Sequence, residues 1–236
     1  YLLNCNTVGG GCIGQFCRLK AANWAAILVS DIDGSQESFG RAANEEAVPS
    51  ANRRRMGRLE RLAVRCAIGV LDATPTGELI FCSRYGNMET LSSLLRGIAH
   101  EQLMSPMAFS GSVHNAVPGL VGQIRKERIG HTALAAGPNT FAAGLIEAYA
   151  RINSEDCADV TLIYADMMLP EFFSEFEEEG APSVAMAVRL TAAVDDDRVR
   201  PIAVRPGRRG VLEVLEGLKN GAIHLGLGEG AACSFP

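Results

Sequence analysis

The sequence lacks any apolar run approaching the roughly 20 residues of a membrane-spanning helix, so we expect no membrane partner. Its first residues also lack a charged segment followed by an apolar core and a small-residue cleavage site, which predicts a cytoplasmic protein that is not secreted. The net charge of −5 argues against nucleic acid as the main partner. What is present is an ordinary globular composition, with 47% hydrophobic and 21% charged residues.

Metal and nucleotide motifs are also missing. The seven cysteines are odd in number and scattered, so reduced thiols are the default expectation. No histidine or second cysteine pair joins Cys12 and Cys17 to complete a zinc site, and we expect neither a metal nor another cofactor. The glycine-rich residues 226–230 lack the lysine of a phosphate-binding loop and its flanking strand and helix.

Strands and helices alternate in the predicted secondary structure, which is typical of an α/β layered domain. An apolar stripe predicts one helix, with Asn52 as its N-cap and residues 74–77 as its end; the stripe is Met56, Leu59, Ala63, Cys66, Ala67 and Val70. Strands are predicted at 78–83, 129–134, 159–165 and 183–190, and helices at 88–103, 113–126, 138–152 and 211–220. Residues 22–30 fit a helix or a strand, and residues 31–51 are expected to form a loop.

The junction at residues 129–144 predicts a short strand, a tight turn and the start of a helix. A sharp turn of this kind presents a Ser or Cys nucleophile to substrate in several enzyme families. The residue at its apex is Leu134, which cannot attack a substrate. Strand-to-helix junctions are common, so the turn alone also fits a protein with no enzymatic ancestry.

The residues around this turn resemble the β-ketoacyl synthases of the thiolase-like superfamily. Thr132–Gly137 resembles the family's Thr-Ala-Cys-x-x-Gly, and residues 52–63, 104–119 and 158–165 resemble three flanking segments in the right order. The resemblance covers about residues 50–192. It implies one ketosynthase-like domain over residues 1–236, with an unassigned tail at about 193–236. The implied fold is the N-terminal half of a ketosynthase, a central mixed sheet flanked by helices.

The sequence departs from the family in two ways. Leu134 replaces the nucleophilic cysteine, and the motifs that carry two catalytic histidines do not occur. In this it resembles chain length factors of aryl polyene pathways. The resemblance implies a subunit that is not an enzyme on its own, pairs with an active β-ketoacyl synthase and shapes its acyl tunnel in fatty-acid-like, aryl polyene or polyketide biosynthesis. An independent acyltransferase or hydrolase using Ser110 or Ser112, and a stand-alone acyl-binding module, are the alternatives.

The resemblance also implies roles for individual residues. Met107, Ala108 and Phe109 match the segment that closes the tunnel, although Phe109 also fits a core position. His131, Thr132, Ala133 and Leu134 match the strand at the family's dimer interface. Homo- and hetero-oligomers both remain open.

Arginines that precede and begin the first long helix suggest a second kind of contact. Arg54, Arg55 and Arg58 are candidates for docking an acyl carrier protein, because guanidinium groups suit carboxylate and phosphate partners. Arg54, Arg58, Arg61 and Arg65 are spaced to share one helix face, which also fits a plain solvated surface.

Two further features have structural interpretations. His114 is expected to be a partly buried, hydrogen-bonded side chain. Residues 171–180 predict an amphipathic surface helix with Phe172, Phe173 and Phe176 turned inward.

Overall fold

The computed structural model describes residues 18–30, 32–71, 77–154, 157–178, 181–193, 202–222 and 224–226, and its strands form one eight-stranded sheet. The strands are β1 (Arg18–Val29), β2 (Gln36–Gly40), β3 (Glu78–Cys82), β4 (His131–Leu134), β5 (Asp159–Asp166), β6 (Ser183–Ala192), β7 (Ile202–Ala203) and β8 (His224–Gly226). Their order is β4-β3-β5-β6-β1-β8-β7, and β2 also pairs with β1. Cys12, Cys17, residues 74–76 and residues 227–230 lie outside the described residues.

Seven helices accompany the strands in the described part of the chain. They are α1 (Ser50–Arg53), α2 (Arg58–Val70), α3 (Met88–Ala99), α4 (Pro106–Ser112), α5 (Ala116–Arg125), α6 (Thr140–Asn153) and α7 (Gly207–Lys219). Shorter 3-10 turns cover Glu45–Ala47, Gly137–Asn139 and Glu171–Phe176. No helix in the described part of the chain is long and apolar enough to cross a membrane.

The sheet is mixed, as expected from the resemblance. β3 runs parallel to β4 and β5, whereas β6 is antiparallel to both β5 and β1. β5 lies between β3 and β6, and all its residues after Asp159 are buried. Its nearly continuous apolar sequence follows from this position, because helices cover both faces of a central strand.

Two helical layers enclose the sheet. On one face, Leu62, Ala63 and Ala67 of α2 pack with Val117 and Val121 of α5 against β1, β3, β5 and β6. On the other face, α6 and α7 share a second core with β3, β5 and β6; its helical residues include Phe141, Leu145, Ala148, Val211, Val214 and Leu215. The predicted α/β layered fold is therefore confirmed.

The part of the C-terminal tail that forms α7 has a clear place in this architecture. Val211, Val214, Leu215 and Leu218 form its buried stripe, and they pack in the same core as α6. Gly221 follows the helix with a φ of +86°, a left-handed conformation that suits the glycine predicted to end it. The tail thus covers apolar surface of α6 that would otherwise face water.

Several sequence predictions need correction. Residues 22–29, for which a helix and a strand were both open, belong to the strand β1, and residues 31–51, predicted as a loop, contain β2. The helix predicted for 88–103 ends at Ala99, and the region before β4 holds two helices where one was expected.

Asn52 is not the N-cap of α2, because it lies inside α1 and α2 begins after Gly57. Glu60, in the first turn of α2, is buried and accepts a hydrogen bond from the side-chain amide of Asn87. Burial raises the pKa of the Glu60 carboxyl, and the backbone N–H of Gly57 acts in the opposite direction.

Candidate functional site at the strand-to-helix turn

The turn after β4 lies at one end of the parallel part of the sheet. Leu134 pairs with Cys82 of β3, and its carbonyl oxygen accepts a hydrogen bond of 3.2 Å from the backbone N–H of Ser83. The chain then turns at Gly137, whose φ of +55° is left-handed. This is the strand, turn and helix predicted from the sequence.

Thr140 closes the turn. Its hydroxyl donates to the carbonyl oxygen of Gly137 at 2.7 Å and accepts from the backbone N–H of Ala136 at 2.9 Å. The Thr140 side chain is buried, so both bonds are shielded from water. The turn is therefore a fixed element of the fold, and Leu134 precedes it as a half-buried side chain packed on the core of α6 and α7.

His114 supports Leu134 from α5's leading segment. Its Nε2 lies 3.1 Å from the carbonyl oxygen of Leu134, and its ring packs against Phe81 with centroids 5.4 Å apart. A carbonyl oxygen only accepts, so Nε2 carries the proton and donates it. The expectation of a partly buried, hydrogen-bonded histidine is confirmed.

The nucleophilic groups nearest to Leu134 along the sheet are buried. Burial raises the pKa of the Cys82 thiol, which keeps it protonated. The hydroxyl of Ser83 donates to Oδ1 of Asp166 at 2.8 Å and accepts from the backbone N–H of Gly86 at 2.8 Å. Neither group faces solvent, so neither is placed to attack a substrate.

Asp166 organises the ends of β3 and β5. Oδ2 accepts from the hydroxyl of Tyr164 at 2.6 Å, and Oδ1 also accepts from the backbone N–H of Arg84 at 2.9 Å. Asp166 is only 1% exposed, and burial raises the pKa of its carboxyl above the ordinary value. This network was not predicted, because Tyr164 was placed only as a strand residue and Asp166 lay just beyond the strand predicted at 159–165.

Ser110 and Ser112, the candidate nucleophiles of the hydrolase alternative, bond to their own helix. Ser110 donates to the carbonyl oxygen of Pro106 at 2.9 Å, and Ser112 donates to that of Phe109 at 2.8 Å. In the described part of the chain neither hydroxyl is hydrogen-bonded to a histidine. The arrangement of a nucleophile beside its base is therefore not formed there.

The predicted tunnel segment lies on the surface of α4. Met107 is 52% exposed and Phe109 is 55% exposed, while Ala108 is half-buried. The alternative that Phe109 is a core residue is therefore wrong. A cavity of about 550 Å³ opens beside Met107, Ser110 and Val113. Other exposed apolar side chains occur on or near α3 and α4: Leu91, Leu95, Ile98, Leu103, Met104 and Val113.

The predicted interface strand β4 is the outermost strand of the described sheet on its side. His131 is exposed, and its Nδ1 lies 3.3 Å from the carbonyl oxygen of Ile129. The hydroxyl of Thr132 accepts from Arg151 of α6 at 2.5 Å, and Arg151 also pairs with Glu147 and Glu78. β4 is thus bonded to α6 through Arg151, and its outer edge pairs with no other strand of the described sheet.

The arginines do not form one helix face. Arg54 is exposed after α1 and lies outside α2, and Arg55 lines the 550 Å³ cavity beside Met107. Arg58, Arg61 and Arg65 belong to α2 and line a different cavity of about 520 Å³. The bend around Gly57 separates Arg54 and Arg55 from the three arginines of α2. A single helix over residues 52–70 would have placed Arg54 on the same face as those three.

The phenylalanines at 172–176 also differ from expectation. A 3-10 turn replaces the predicted helix, with Phe172 78% exposed and Phe176 56% exposed, so these two rings are not turned inward. Residues 179 and 180 lie outside the described part. Within the described residues no three His, Cys, Asp or Glu side chains are grouped to hold a metal ion.

Residues 29–205 match the sequence profile of the β-ketoacyl synthase N-terminal domain. The chain belongs to this family. Its ketosynthase fold is also similar to a structure of the ketosynthase ApeO in complex with its chain length factor ApeC from Xenorhabdus doucetiae, with a TM-score of 0.65 at 23% identity. That match covers 75% of this chain and 79% of the other.

Further ketosynthase structures share the fold at lower identity. The ishigamide ketosynthase/chain length factor gives a TM-score of 0.58 at 14% identity, covering 78% of this chain and 64% of the other. The complex of AntDE with the acyl-carrier protein AntF gives 0.58 at 9% identity, covering 87% and 65%. The chain therefore spans just under two thirds of the length of these two. No curated protein sequence matches it.

Leu134 is the residue that the sequence resemblance matches to the family's cysteine, and its side chain has no reactive group. β4, the turn and α6 reproduce the predicted strand, turn and helix, but Leu134 is the last residue of β4 and precedes the turn, where an apex position was predicted.

Proposed function

We propose that this chain is a non-catalytic ketosynthase-like subunit, a chain length factor, that pairs with an active β-ketoacyl synthase and shapes its acyl tunnel. The observation that carries the proposal is Leu134 at the turn, where Cys82 and Ser83 nearby are both buried. A condensing enzyme that works through a covalent intermediate needs a nucleophile within reach of substrate. A leucine there can fill space and support a neighbour but cannot carry an acyl group.

Two surfaces support pairing with a second subunit. β4 is an outer strand of the described sheet, and an unpaired strand edge readily accepts another strand. The exposed apolar side chains of α3 and α4 form a second feature that is unusual for a surface facing water. The resemblance assigns β4 to the interface and Met107, Ala108 and Phe109 of α4 to the tunnel.

The structural relatives support the type of partner. Two of them are complexes of a ketosynthase with a chain length factor, as their descriptions state. We infer that the partner here is a catalytic ketosynthase and that the complex forms a heterodimer. An aryl polyene, polyketide or fatty-acid-like pathway is the setting that the sequence resemblance suggests.

A carrier protein is the second proposed partner. Arg54 and Arg55 are exposed, and neither forms an ion pair within the described residues. Exposed guanidinium groups suit an acidic carrier protein, and the AntDE relative was described with an acyl-carrier protein. We propose that Arg54 and Arg55, together with the exposed Arg58 at the start of α2, dock the carrier protein.

The decisive experiment compares the chain alone with the chain co-expressed with a ketosynthase encoded beside it. Each preparation is incubated with acyl and malonyl carrier proteins, and released carbon dioxide is measured. We expect background release from the chain alone, a stable complex by gel filtration, and condensation only by the complex. Condensation by the purified chain alone would contradict the proposal, and so would a partner ketosynthase that never associates with it.

A further inference from the structure

The cavity of about 520 Å³ at α2 has a chemistry that tunnel shaping does not require. Arg58, Arg61 and Arg65 line it together, and α3 adds the hydroxyls of Thr90 and Ser93. We call it the arginine cavity. It is distinct from the 550 Å³ cavity, which contains Arg55 and none of these five residues.

Two of the three guanidinium groups are held in place by backbone oxygens. Nε of Arg65 donates to the carbonyl oxygen of Ala43 at 3.0 Å, and its Nη1 donates to Oε1 of Gln36 at 2.9 Å. Nε of Arg61 donates to the carbonyl oxygen of Met56 at 3.1 Å. Each head group keeps N–H donors beyond these bonds, so preformed donors remain for a ligand.

The cavity also contains two carboxylates, Glu45 of the 3-10 turn and Glu89 of α3. Both are exposed, and among the described residues neither forms an ion pair with Arg58, Arg61 or Arg65. The lining therefore keeps an excess of positive charge, three arginines against two glutamates. Unpaired guanidinium groups converging on one space are suited to an oxyanion with several acceptor atoms.

We propose that the arginine cavity binds the phosphate group of a small phosphorylated ligand. A phosphate offers more acceptor oxygens and more charge than a carboxylate, so it suits a cavity that is lined by several guanidinium groups and hydroxyls. The phosphate could be supplied by a free phosphate ester or by the phosphopantetheine arm of a carrier protein. The proposal stands whether or not the chain acts as a chain length factor, because it depends only on this chain's own residues.

The test measures binding to the full chain by isothermal titration calorimetry at constant ionic strength. The probes are pyrophosphate and pantetheine 4′-phosphate, with sulfate for comparison. We expect saturable binding of one probe molecule, weakened at least tenfold by Arg58→Gln combined with Arg61→Gln. Arg96→Gln is the matched control, because it removes the same charge from an exposed position on α3 outside the cavity, and its affinity should stay unchanged.

Glu89→Gln gives a readout of the opposite sign. Removing that negative charge from the cavity should tighten phosphate binding, whereas damage to the fold would only weaken it. Circular dichroism and thermal unfolding show whether each variant is folded. If the double arginine variant fails to fold, the two other variants test the proposal. Tighter binding by Glu89→Gln with unchanged binding by Arg96→Gln supports the site, and any other result contradicts it.

The probes also distinguish the two phosphate sources. Tighter binding of pantetheine 4′-phosphate than of pyrophosphate, together with tighter binding of a holo than of an apo carrier protein, assigns the site to the carrier arm. Equal or tighter binding of pyrophosphate assigns it to a free phosphate ester. The absence of saturable binding by either probe, or an equal loss in Arg96→Gln, would overturn the proposal.

Discussion

Nε2 of His114 donates a hydrogen bond of 3.1 Å to the carbonyl oxygen of Leu134. The bond places the histidine directly beside the turn, yet it points the proton at the main chain and away from any substrate. The other ring nitrogen, Nδ1, lies next to Gly86, which has no side chain to clash with it. His114 is thus a support for the turn, and its Nε2 cannot accept a proton from a thiol while this bond holds.

Leu134→Cys should therefore remain inactive as a condensing enzyme. The variant supplies a thiol, but His114 stays bonded to the main chain, and no second oxyanion donor is provided. We expect carbon dioxide release at background level, while gel filtration still shows the complex with the ketosynthase. Efficient condensation by Leu134→Cys alone would mean that the chain contains catalytic groups beyond those at the turn.

Phe109→Ala and Met107→Ala should change product length without unfolding the chain. Both side chains are more than half exposed, so their truncation leaves no internal cavity and should change the free energy of unfolding by about 0.5 kcal/mol or less. If they close the partner's tunnel, each truncation opens space there. The measurement is mass spectrometry of the products from a complex that gel filtration shows to be intact.

Arg96→Ala is a suitable control for these truncations, because it also removes an exposed side chain, and Arg96 lies outside both cavities. Its product lengths should match those of the unaltered complex. An intact complex with unchanged products for both Phe109→Ala and Met107→Ala would remove this segment from the tunnel.

Local residue patterns predicted most of the layered core. The stripe of α2 and the apolar run of β5 appear in the structure because burial dictates both sequences. The pattern failed at the start of α2. Asn52 is a good N-cap residue by type, but it lies inside the short helix α1, and α2 begins only after Gly57.

In the candidate site too, the features formed by neighbouring residues could be predicted, and those formed by residues distant in sequence could not. Leu134 and its turn could be predicted, because strand, turn and helix are contiguous in sequence. The Asp166 network could not, since it joins Ser83 to a residue 83 positions away. The arginine cavity was also missed, because it exists only where α2, α3 and β2 come together.

Gly144→Ala should destabilise the fold. A Cβ at this position of α6 would lie 2.4 Å from Sγ of Cys82 and 2.6 Å from Cδ1 of Leu162. Overpacking of this kind costs about 1–3 kcal/mol, which exceeds the gain in helix propensity of about 1 kcal/mol. Gly119→Ala in α5 is the control, because nothing lies within 4 Å of its added Cβ. Urea unfolding should show a loss for the first variant and none for the second.

Asp166→Asn should alter how stability depends on pH. Burial raises the pKa of Asp166 in the folded chain above the ordinary 3.8, so the unfolded chain ionises first as pH rises. The stability due to this carboxyl is then fully present below pH 3.8 and is lost as pH rises through the folded pKa. Denaturant unfolding across this range should show the stability of the unaltered chain, relative to Asp166→Asn, falling as pH rises.

Asp33→Asn provides a comparison with the opposite sign. Hydrogen bonds from Ser35 and Ser30 lower the pKa of the exposed Asp33 to about 2, so its contribution to stability is lost as pH falls.

The Asp166→Asn prediction has a clear contradicting outcome. If the unaltered chain instead gained stability over Asp166→Asn as pH rose, the hydrogen bonds to Asp166 would outweigh its burial.

Ala133→Pro should separate folding from pairing. The carbonyl oxygens of Gly130 and Leu134 bond to β3, so in a parallel ladder the backbone groups of His131 and Ala133 point to the open edge of β4. Proline is tolerated on an edge strand when its missing N–H faces outward, and it removes one donor that a partner strand would use. We expect Ala133→Pro to remain folded by circular dichroism and to lose the ketosynthase in gel filtration. Thr132→Pro is the matched control, because its N–H faces β3 and its loss should damage the sheet itself. A stable complex with Ala133→Pro would show that the partner does not bind through this edge.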